Sequence, residues 1–586
     1  MGRTIGIDLG TTNSVVSYLD NGEAKIIPNS NNNNLTPSVV AFGKNGEILV
    51  GEVAKNQLMT NSNRTVLNIK REMGEDKEFF FNGKRFRPEQ ISAFILTKLK
   101  NDAELYLKEK ITDAIITVPA YFSNSQRQAT IDAGILAGLN VIRIINEPTA
   151  AALAYGINNK KTNVLIYDLG GGTFDVSVLE IENGTFEVKS TKGDNKLGGI
   201  DFNNRLKKII IEQFETESGI DLSFDKYATQ KIDEEVEKAK ISLSTKTYYS
   251  INIPFISADI NGPKHLRFSI TRTEFEKIIE DLVDKTIYLT FLALKEADFS
   301  IDDIDKVIMV GGSTYIPLVK NKLSKFAKKE LKHLVNPDEV VSLGATIQGG
   351  IINGDISDVV LLDITPLSLG IEIDGGLFIP IIPRNSPIPM ETKKVFTTVT
   401  DNQEEVEIHI LQGENKNASE NMSLGRFILT NIRKEKKGIP KIEVTFDINV
   451  DSIVKVTAKD IDTLEKAEIV VNSKCNLSRD ELEIFTKEEY IFDNTETFLS
   501  LSDTFKELII KFDLLKKEIK MEKETLKDID ELIAKIYKLI DTGNVELLKN
   551  NINILKELYE ELLIISKTTD DILIDNILID KNYLIS

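Results

Sequence analysis

Two aspartates, Asp8 and Asp168, each close an apolar run and open a glycine turn. The two phrases are IGIDLGTTNSVV from Ile5 to Val16 and VLIYDLGGGTFDVSVL from Val164 to Leu179, about 160 residues apart. In each, the run ends in Asp-Leu-Gly, small residues follow and a second apolar run resumes, which predicts a β-hairpin. Gly10 in the first turn and Gly170, Gly171 and Gly172 in the second let the backbone bring its N–H groups against an anion. Thr11, Thr12 and Thr173 add hydroxyl donors. Magnesium prefers oxygen ligands and keeps several waters, so Asp8 and Asp168 would face a metal-bound triphosphate directly or through water. A duplicated turn predicts two hairpins gripping one nucleotide phosphate. A third phrase, VIMVGGSTYIP from Val307 to Pro317, reads as a strand, Gly311-Gly312 and a helix start, with glycines that allow close approach to a nucleoside.

The elements that hold these turns follow from periodicity. From Met1 to about Gly354, strands alternate with helical patterns: Pro88 to Tyr106 reads as a helix, Ala114 to Val118 as a strand and Ser123 to Ala137 as a helix. That is α/β architecture, with the Asn-rich stretch Asn29 to Asn34 as a loop between strands. Asp358 to Asp363 brackets an apolar tetrad with acids and reads from its residues as a short buried strand. From Thr365 to about Val471 short strands alternate with turns, at Val395 to Val399, Val406 to Leu411, Ile442 to Ile448 and Ile453 to Ala458. After Ser478 the pattern is helical: Ser478 and Glu481 form a capping box, and helices continue through Phe505 to Ile540. Gly543 reads as a stop and Asn544 as the next cap, and Leu547, Leu548, Ile552, Leu555, Leu558 and Leu562 line one face.

Composition narrows the chemistry. A length of 586 residues predicts roughly four domains, and 41% apolar content builds several cores. No stretch approaches the ~18 apolar residues of a membrane helix, so no membrane is expected. The single cysteine, Cys475, excludes an internal disulfide and a cysteine-cluster metal site. His265, His333 and His409 lie in unrelated segments, which argues against a histidine-based triad or zinc site. Carboxylates, lysine and magnesium must carry any chemistry. A net charge of −19 argues against nonspecific nucleic-acid binding.

The two hairpins and the Val307 to Pro317 phrase, in that order and without a Walker loop, resemble the two phosphate motifs and adenosine motif of the actin, sugar-kinase and heat-shock ATPase superfamily. Further phrases narrow it: ITVPAYFSNSQRQAT from Ile116, IINEPTAAALAYG from Ile144, EKAKISLS from Glu237, VVLLDITPLSLGIE from Val359 and DNQEEVEIHILQGE from Asp401. These resemble the seventy-kilodalton heat-shock chaperones, most nearly the bacterial DnaK type, over nearly all of the first 470 residues or so. The resemblance implies a multidomain chain. It would have an actin-like two-lobed α/β ATPase domain over 1–354, an interdomain linker over 355–364, a β-sandwich peptide-binding domain over 365–475 and an α-helical lid over 476–586.

Site roles carry over residue by residue. Lys70 matches the family's catalytic lysine, which orients the attacking water and offsets charge on the γ-phosphate. Glu147 matches the acid that holds magnesium's water shell, with Asp8 and Asp168 the other metal-site acids. Asp175 matches the acid that helps to position potassium and water, and Thr11 and Thr173 lie by the γ-phosphate. Glu237, Lys240 and Ser244 match the helix contacting adenine and ribose, with Gly311, Gly312, Ser313 and Asp338 facing it. The base-clamping positions hold Ile241 and Tyr315, the latter where the family usually has arginine. Pro119 and Arg127 match a proline switch and its arginine partner, and Arg143 an arginine that docks J-domain co-chaperones. Val359, Val360, Leu361, Leu362 and Asp363 match the linker that inserts into the ATPase domain in one nucleotide state. Ile371, Ile373, Phe396, Val406 and Ile408 match the pocket gripping an extended peptide, with Asp374 and Val399 replacing the usual arch pair.

The resemblance therefore implies an ATP-dependent chaperone, an ATPase using ATP/ADP, Mg2+ and K+. It would be cytoplasmic, active in the stress response, and served by a J-domain protein and a GrpE-type nucleotide exchange factor. The alternatives are a divergent holdase or exchange-type paralogue whose nucleotide is weakly coupled to peptide release, and a sugar-kinase relative, which the β block disfavours.

Overall fold

The computed structural model describes residues 3–44, 46–156, 160–260, 262–470, 477, 479–487, 490, 492, 495–518, 523–542 and 545–568. The first sheet contains β1 (Arg3–Asp8), β2 (Asn13–Asp20), β3 (Glu23–Ile27), β4 (Ile111–Val118) and β5 (Asn140–Asn146) in the order β5-β4-β1-β2-β3. The second contains β6 (Thr162–Leu169), β7 (Phe174–Glu182), β8 (Thr185–Asp194) and β9 (Lys306–Val310) in the order β9-β6-β7-β8. Both sheets are built alike. A central antiparallel hairpin, β1–β2 or β6–β7, has a parallel strand on one side and an antiparallel third strand on the other. The two Asp-Leu-Gly phrases are therefore the same turn in two copies of one topology.

Helices cover these sheets: α1 (Pro88–Leu107), α2 (Asn124–Leu136), α3 (Glu147–Tyr155), α4 (Gly199–Ser218), α5 (Lys226–Leu243), α6 (Arg272–Glu296), α7 (Pro317–Ala327) and α8 (Val340–Asn353). Helix α2 starts one residue after the Ser123 expected, because Ser123 is its cap: Ser123 Oγ accepts from Gln126 N at 3.4 Å and the Gln126 side chain accepts from Ser123 N at 3.0 Å. The two sheets share one core through α3 and α8: Ile115 and Ile145 from the first and Val164 and Ile166 from the second pack with Ala150, Val341 and Ala345. The crossing of α3 and α8 is so close that a Cβ on Gly344 would lie 1.8 Å from the Ala150 carbonyl oxygen. Only a glycine at position 344 allows so close an approach to Ala150.

The apolar tetrad becomes a strand, β10 (Val360–Ile364), added parallel to β8 with Phe186 opposite Leu361. Val359 and Leu361 pack on the shared core, while Val360 and Leu362 are 53% and 40% exposed. The longer strands that follow are β11 (Leu369–Ile373), β12 (Leu377–Ile382), β13 (Met390–Phe396), β14 (Val406–Gln412), β15 (Met422–Leu429), β16 (Ile442–Ile448), β17 (Val454–Asp460) and β18 (Lys466–Val470). They form two sheets, β12-β11-β14-β15 and β13-β16-β17-β18, over a common core containing Ile371, Ile408 and Ile410 from one and Val444, Phe446 and Val456 from the other. The strand expected over Val395 to Val399 is displaced: β13 ends at Phe396, which pairs with Ile442, the first residue of β16, so the partner runs out there.

The chain divides into two compact units, Met1–Ile27 with Asn34–Tyr490, and Pro28–Asn33 with Ile491–Ser586. The first also includes α9 (Arg479–Lys487). The second contains α10 (Thr495–Glu518), α11 (Lys523–Thr542) and α12 (Val545–Thr568). Buried Phe505 meets Tyr537 and buried Phe512 meets Tyr559 in edge-on contacts at 5.0 and 5.3 Å. On α12, Leu548, Ile552, Leu555, Leu558 and Leu562 are buried, but Leu547 is 41% exposed. Adjacent residues point about 100° apart on a helix, so Leu547 and Leu548 cannot both face the core. Ser478, Gly543 and Asn544, expected to mark helix ends, lie outside the described residues, as does Cys475. Among the described residues no helix is long and apolar enough to cross a membrane.

Candidate functional site

The two hairpin turns meet. A Cβ on Gly171 would lie 2.1 Å from Thr12 Oγ1, and one on Gly172 would lie 2.5 Å from Thr11 Cγ2, so glycine is what lets the second turn approach the first. The adenosine-type phrase closes on the same point. Gly311 has φ 82°, a Cβ on it would strike the Leu169 carbonyl at 2.5 Å, and Ser313 Oγ donates to the Gly170 carbonyl at 2.8 Å. Together they bound a cavity of about 610 Å³. It is lined by Asp8, Gly10, Thr11, Thr12, Lys70, Glu147, Asp168, Gly170, Gly171, Thr173, Glu237, Lys240, Ile241, Ser244, Gly311, Gly312, Ser313, Tyr315 and Asp338. Of the residues expected there, Gly172 and Asp175 do not line it.

The inner end is acidic around one cation. Lys70, 5% exposed, donates to Glu147, the first residue of α3. Asp8 accepts from Thr117 Oγ1 at 3.0 Å. Burial, then the nearby Glu147 charge, pushes the Asp8 carboxyl up to about 7 and Asp175 to about 8. Asp168 is raised well above its ordinary value by burial and by Glu147, Asp175 and Asp8. Asp175 accepts from Tyr121 N at 3.1 Å through one oxygen, while the other, buried, has no hydrogen-bond partner. Four carboxyl groups around one lysine gather oxygen donors that can shed their protons to a hard divalent cation. Among the described residues no group of three or more His, Cys, Asp or Glu is arranged to ligate an ion directly.

At the outer end, Lys240 donates to Glu237 at 2.7 Å and to the Gly199 carbonyl at 3.3 Å, and Asn203 donates to Glu237 at 2.5 Å. Burial would raise Glu237, but the Lys240 charge and these hydrogen bonds hold it below its ordinary range. Arg71 escaped the sequence reading. Its guanidinium donates to the Gly172 carbonyl at 2.7 and 3.0 Å and pairs with Asp201, fixing the second turn from the first region. Its only sequence signal is adjacency to Lys70.

From the cavity a hydrogen-bonded path runs to β10. Arg127, buried and lowered from its ordinary pKa by that burial, donates to the Ala120 carbonyl at 3.0 Å, next to Pro119, and to Asn146 Oδ1 at 2.7 Å. Asn146 Nδ2 donates to Asp363 at 2.8 Å, and Thr149 Oγ1 reaches the same oxygen at 3.4 Å. Asn146 and Glu147 are neighbours, so one peptide unit faces both β10 and the carboxylate cluster. The β-sheet block also touches this surface: Ile144 N donates to Asp451 at 3.1 Å beside half-buried Arg143, and Asn124 Nδ2 donates to the Ser452 carbonyl at 3.0 Å. Arg384 pairs with Glu296 at 2.5 Å.

In the paired sheets, Ile371 and Ile408 are buried in the common core, with Ile373, Phe396 and Val406 partly buried against it. Asp374 and Val399 are exposed, outside this cluster. The histidines stay apart; His409 sits between Glu372 at 2.5 Å and Ser423 at 2.8 Å on β14. A family model described as Hsp70 protein matches residues 4–80 and 77–567 of the chain.

Proposed function

Because the chain belongs to the Hsp70 family, a family of chaperones and ATPases that bind unfolded polypeptides and co-chaperones, we propose that it is an ATP-driven chaperone whose nucleotide state sets its grip on extended apolar peptide. The observation that carries the coupling is the Asn146–Glu147 step: Asn146 bonds Asp363 of β10 while Glu147 bonds Lys70 in the cavity. A change in charge beside Glu147 thus acts on a residue covalently joined to the one holding the linker.

In this reading the Gly10 and Gly170–Gly172 turns cradle the phosphates, and Thr11 and Thr173 donate hydroxyls to the γ-phosphate. Lys70 orients the attacking water and meets charge that develops on the departing phosphate. Asp8, Glu147 and Asp168 would hold Mg2+ mostly through water and Asp175 would help to hold K+; bound there, the metal would neutralise the triphosphate. Asp363, held by Asn146 with Arg127 and Pro119 behind it, keeps Val359 to Leu362 on β8 in the ATP state. Ile371, Ile373, Phe396, Val406 and Ile408 receive the peptide, a buried apolar side chain contributing ~1.5 to 3 kcal/mol. The domain limits 1–354, 355–364, 365–475 and 476–586 belong to this proposal, as do the cytoplasmic location, a J-domain partner reaching Arg143 and a GrpE-type exchange factor. The test is single-turnover ATP hydrolysis with and without an apolar peptide and a J-domain protein. Stimulation by both is expected, and hydrolysis indifferent to both would leave only the weakly coupled holdase.

A further inference from the structure

The sheet β12-β11-β14-β15 brings a carboxylate, an imidazole and a hydroxyl into line, one from each of three neighbouring strands. Glu372 is on β11, His409 on β14 and Ser423 on β15; His409 Nδ1 lies 2.5 Å from Glu372 Oε2, and His409 Nε2 lies 2.8 Å from Ser423 Oγ. The register explains the meeting. Ile371 pairs with Ile410 across β11 and β14, which puts Glu372 beside His409. Between β14 and β15 the ladder slips: His409 faces Arg426 and Ile410 faces Gly425, but Leu411 faces Ser423. In an unbroken ladder, alternation would put Leu424 on the His409 face and Ser423 in the core. The slip exchanges them, with Gly425 at φ 145° accommodating it, Leu424 fully buried and Ser423 exposed beside the ring. His409 itself is 9% exposed. The wide spacing of the histidines along the chain argues against a triad, yet one histidine suffices when a sheet supplies its partners.

We propose that Ser423 is the nucleophile of an acyl-transfer site, with His409 as its general base and Glu372 as the positioning residue that orients the ring. A carboxylate only accepts, so Nδ1 carries the ring proton toward Glu372, and in the neutral ring Nε2 is left bare to accept from the Ser423 hydroxyl. Arg426 pairs with Glu407 at 2.6 Å and also lies 3.7 Å from Glu372 Oε2, so Glu372 is held from two sides. In the first half-reaction Ser423 Oγ bonds the carbonyl carbon of an ester or thioester while its proton passes to Nε2. The bond to the leaving oxygen or sulfur then breaks, and that atom departs with the proton. In the second, water attacks the acyl-Ser423 and gives a proton to Nε2, and Oγ takes it back as the carboxylic acid leaves. Because Ser423 stands exposed on a sheet face, the groups it expels are those that need least help, phenols and thiols. Activated aryl esters and thioesters are therefore the substrate class.

The experiment treats the full chain with a fluorophosphonate probe, which phosphonylates activated serines, and maps the label by mass spectrometry, while p-nitrophenyl acetate and an acetyl thioester report turnover. Label is expected on Ser423 in wild type, and both label and turnover should be lost in Ser423→Ala. His409→Ala should slow labelling by about 10²-fold or more. Glu372→Gln should slow it less, and Glu372→Asp should restore part of the rate. The wild-type labelling rate should rise with pH in a single step that Glu372→Gln moves to lower pH, since a ring without its carboxylate holds a proton less well. Absence of label on Ser423 in wild type with an intact thermal transition would overturn the site, as would turnover that survives Ser423→Ala unchanged. An unchanged labelling rate in His409→Ala would overturn the base, and a pH step that stays in place in Glu372→Gln would overturn the positioning role.

Discussion

Replacing Asp363 by alanine cuts the coupling path at its most exposed link to calculation. Asp363 is half-buried, and its removal from water raises its carboxyl; hydrogen bonds from Ile364 N, Asn146 and Thr149 and the Arg127 charge work the other way. The Ile364 bond is local to the strand, and the Thr149 contact at 3.4 Å is long, so the Asn146 bond at 2.8 Å is the strongest of the hydrogen bonds that tie Asp363 to the junction of β5 and α3. A hydrogen bond to a charged group contributes about 1.5 to 3 kcal/mol, and site-to-site couplings are typically about 1 to 3 kcal/mol. Losing this bond should therefore remove most of the coupling, a factor of about 10 to 150 in the acceleration of peptide release by ATP. The assay is release of a fluorescent apolar peptide after mixing with excess ATP or buffer. Asp363→Asn, which keeps an acceptor and loses the charge, should fall between. If ATP accelerates release in Asp363→Ala as much as in wild type, the path through Asn146 carries nothing and the argument fails.

Other consequences follow from the same geometry. Lys70→Ala removes the one cation among four carboxylates; turnover should fall by about 10² or more while filter binding still detects ATP, and persistent turnover would displace Lys70 from the chemistry. Asp8 at about 7 and Asp175 at about 8 hold protons near neutrality that a bound cation must displace. Mg-nucleotide binding should accordingly strengthen as pH rises from about 6 to 8, with proton release visible by calorimetry in buffers of different ionisation enthalpy; no release would contradict the raised values. For the nucleotide-free fold the sign is opposite. Both folded values exceed the ordinary 3.8, so the stability that these groups contribute is complete below it and is lost as pH climbs through about 7 and 8, and Tm should be lower at pH 8 than at pH 6. Gly344→Ala places a methyl 1.8 Å from the Ala150 carbonyl and should cost about 1 to 3 kcal/mol or more, seen as a lower calorimetric transition; an unshifted transition would mean that α3 and α8 separate freely.

The parts legible in the sequence are those in which function constrains the backbone locally. The Asp-Leu-Gly turns and the Gly311-Gly312 bend declare themselves within a few residues, and the predicted lining residues share one cavity apart from Gly172 and Asp175. What stayed hidden depends on partners far along the chain. Arg71 finds the Gly172 carbonyl only once the two hairpins face each other, and Tyr315 meets His333 across the intervening helix α7. The apolar tetrad Val359 to Leu362 reads as a strand, but nothing in it says that β8 is its neighbour. Val399 continues the alternation of β13 in sequence, yet the strand stops where its partner begins.

The central claim is that nucleotide state controls the hold on peptide, and the most direct measurement is the dissociation rate of a bound apolar peptide before and after addition of Mg-ATP to the full chain. ATP is expected to speed dissociation by a factor that collapses again once the nucleotide has been hydrolysed to ADP. Equal rates with ATP, with ADP and without nucleotide, from a protein that still hydrolyses ATP, would contradict it.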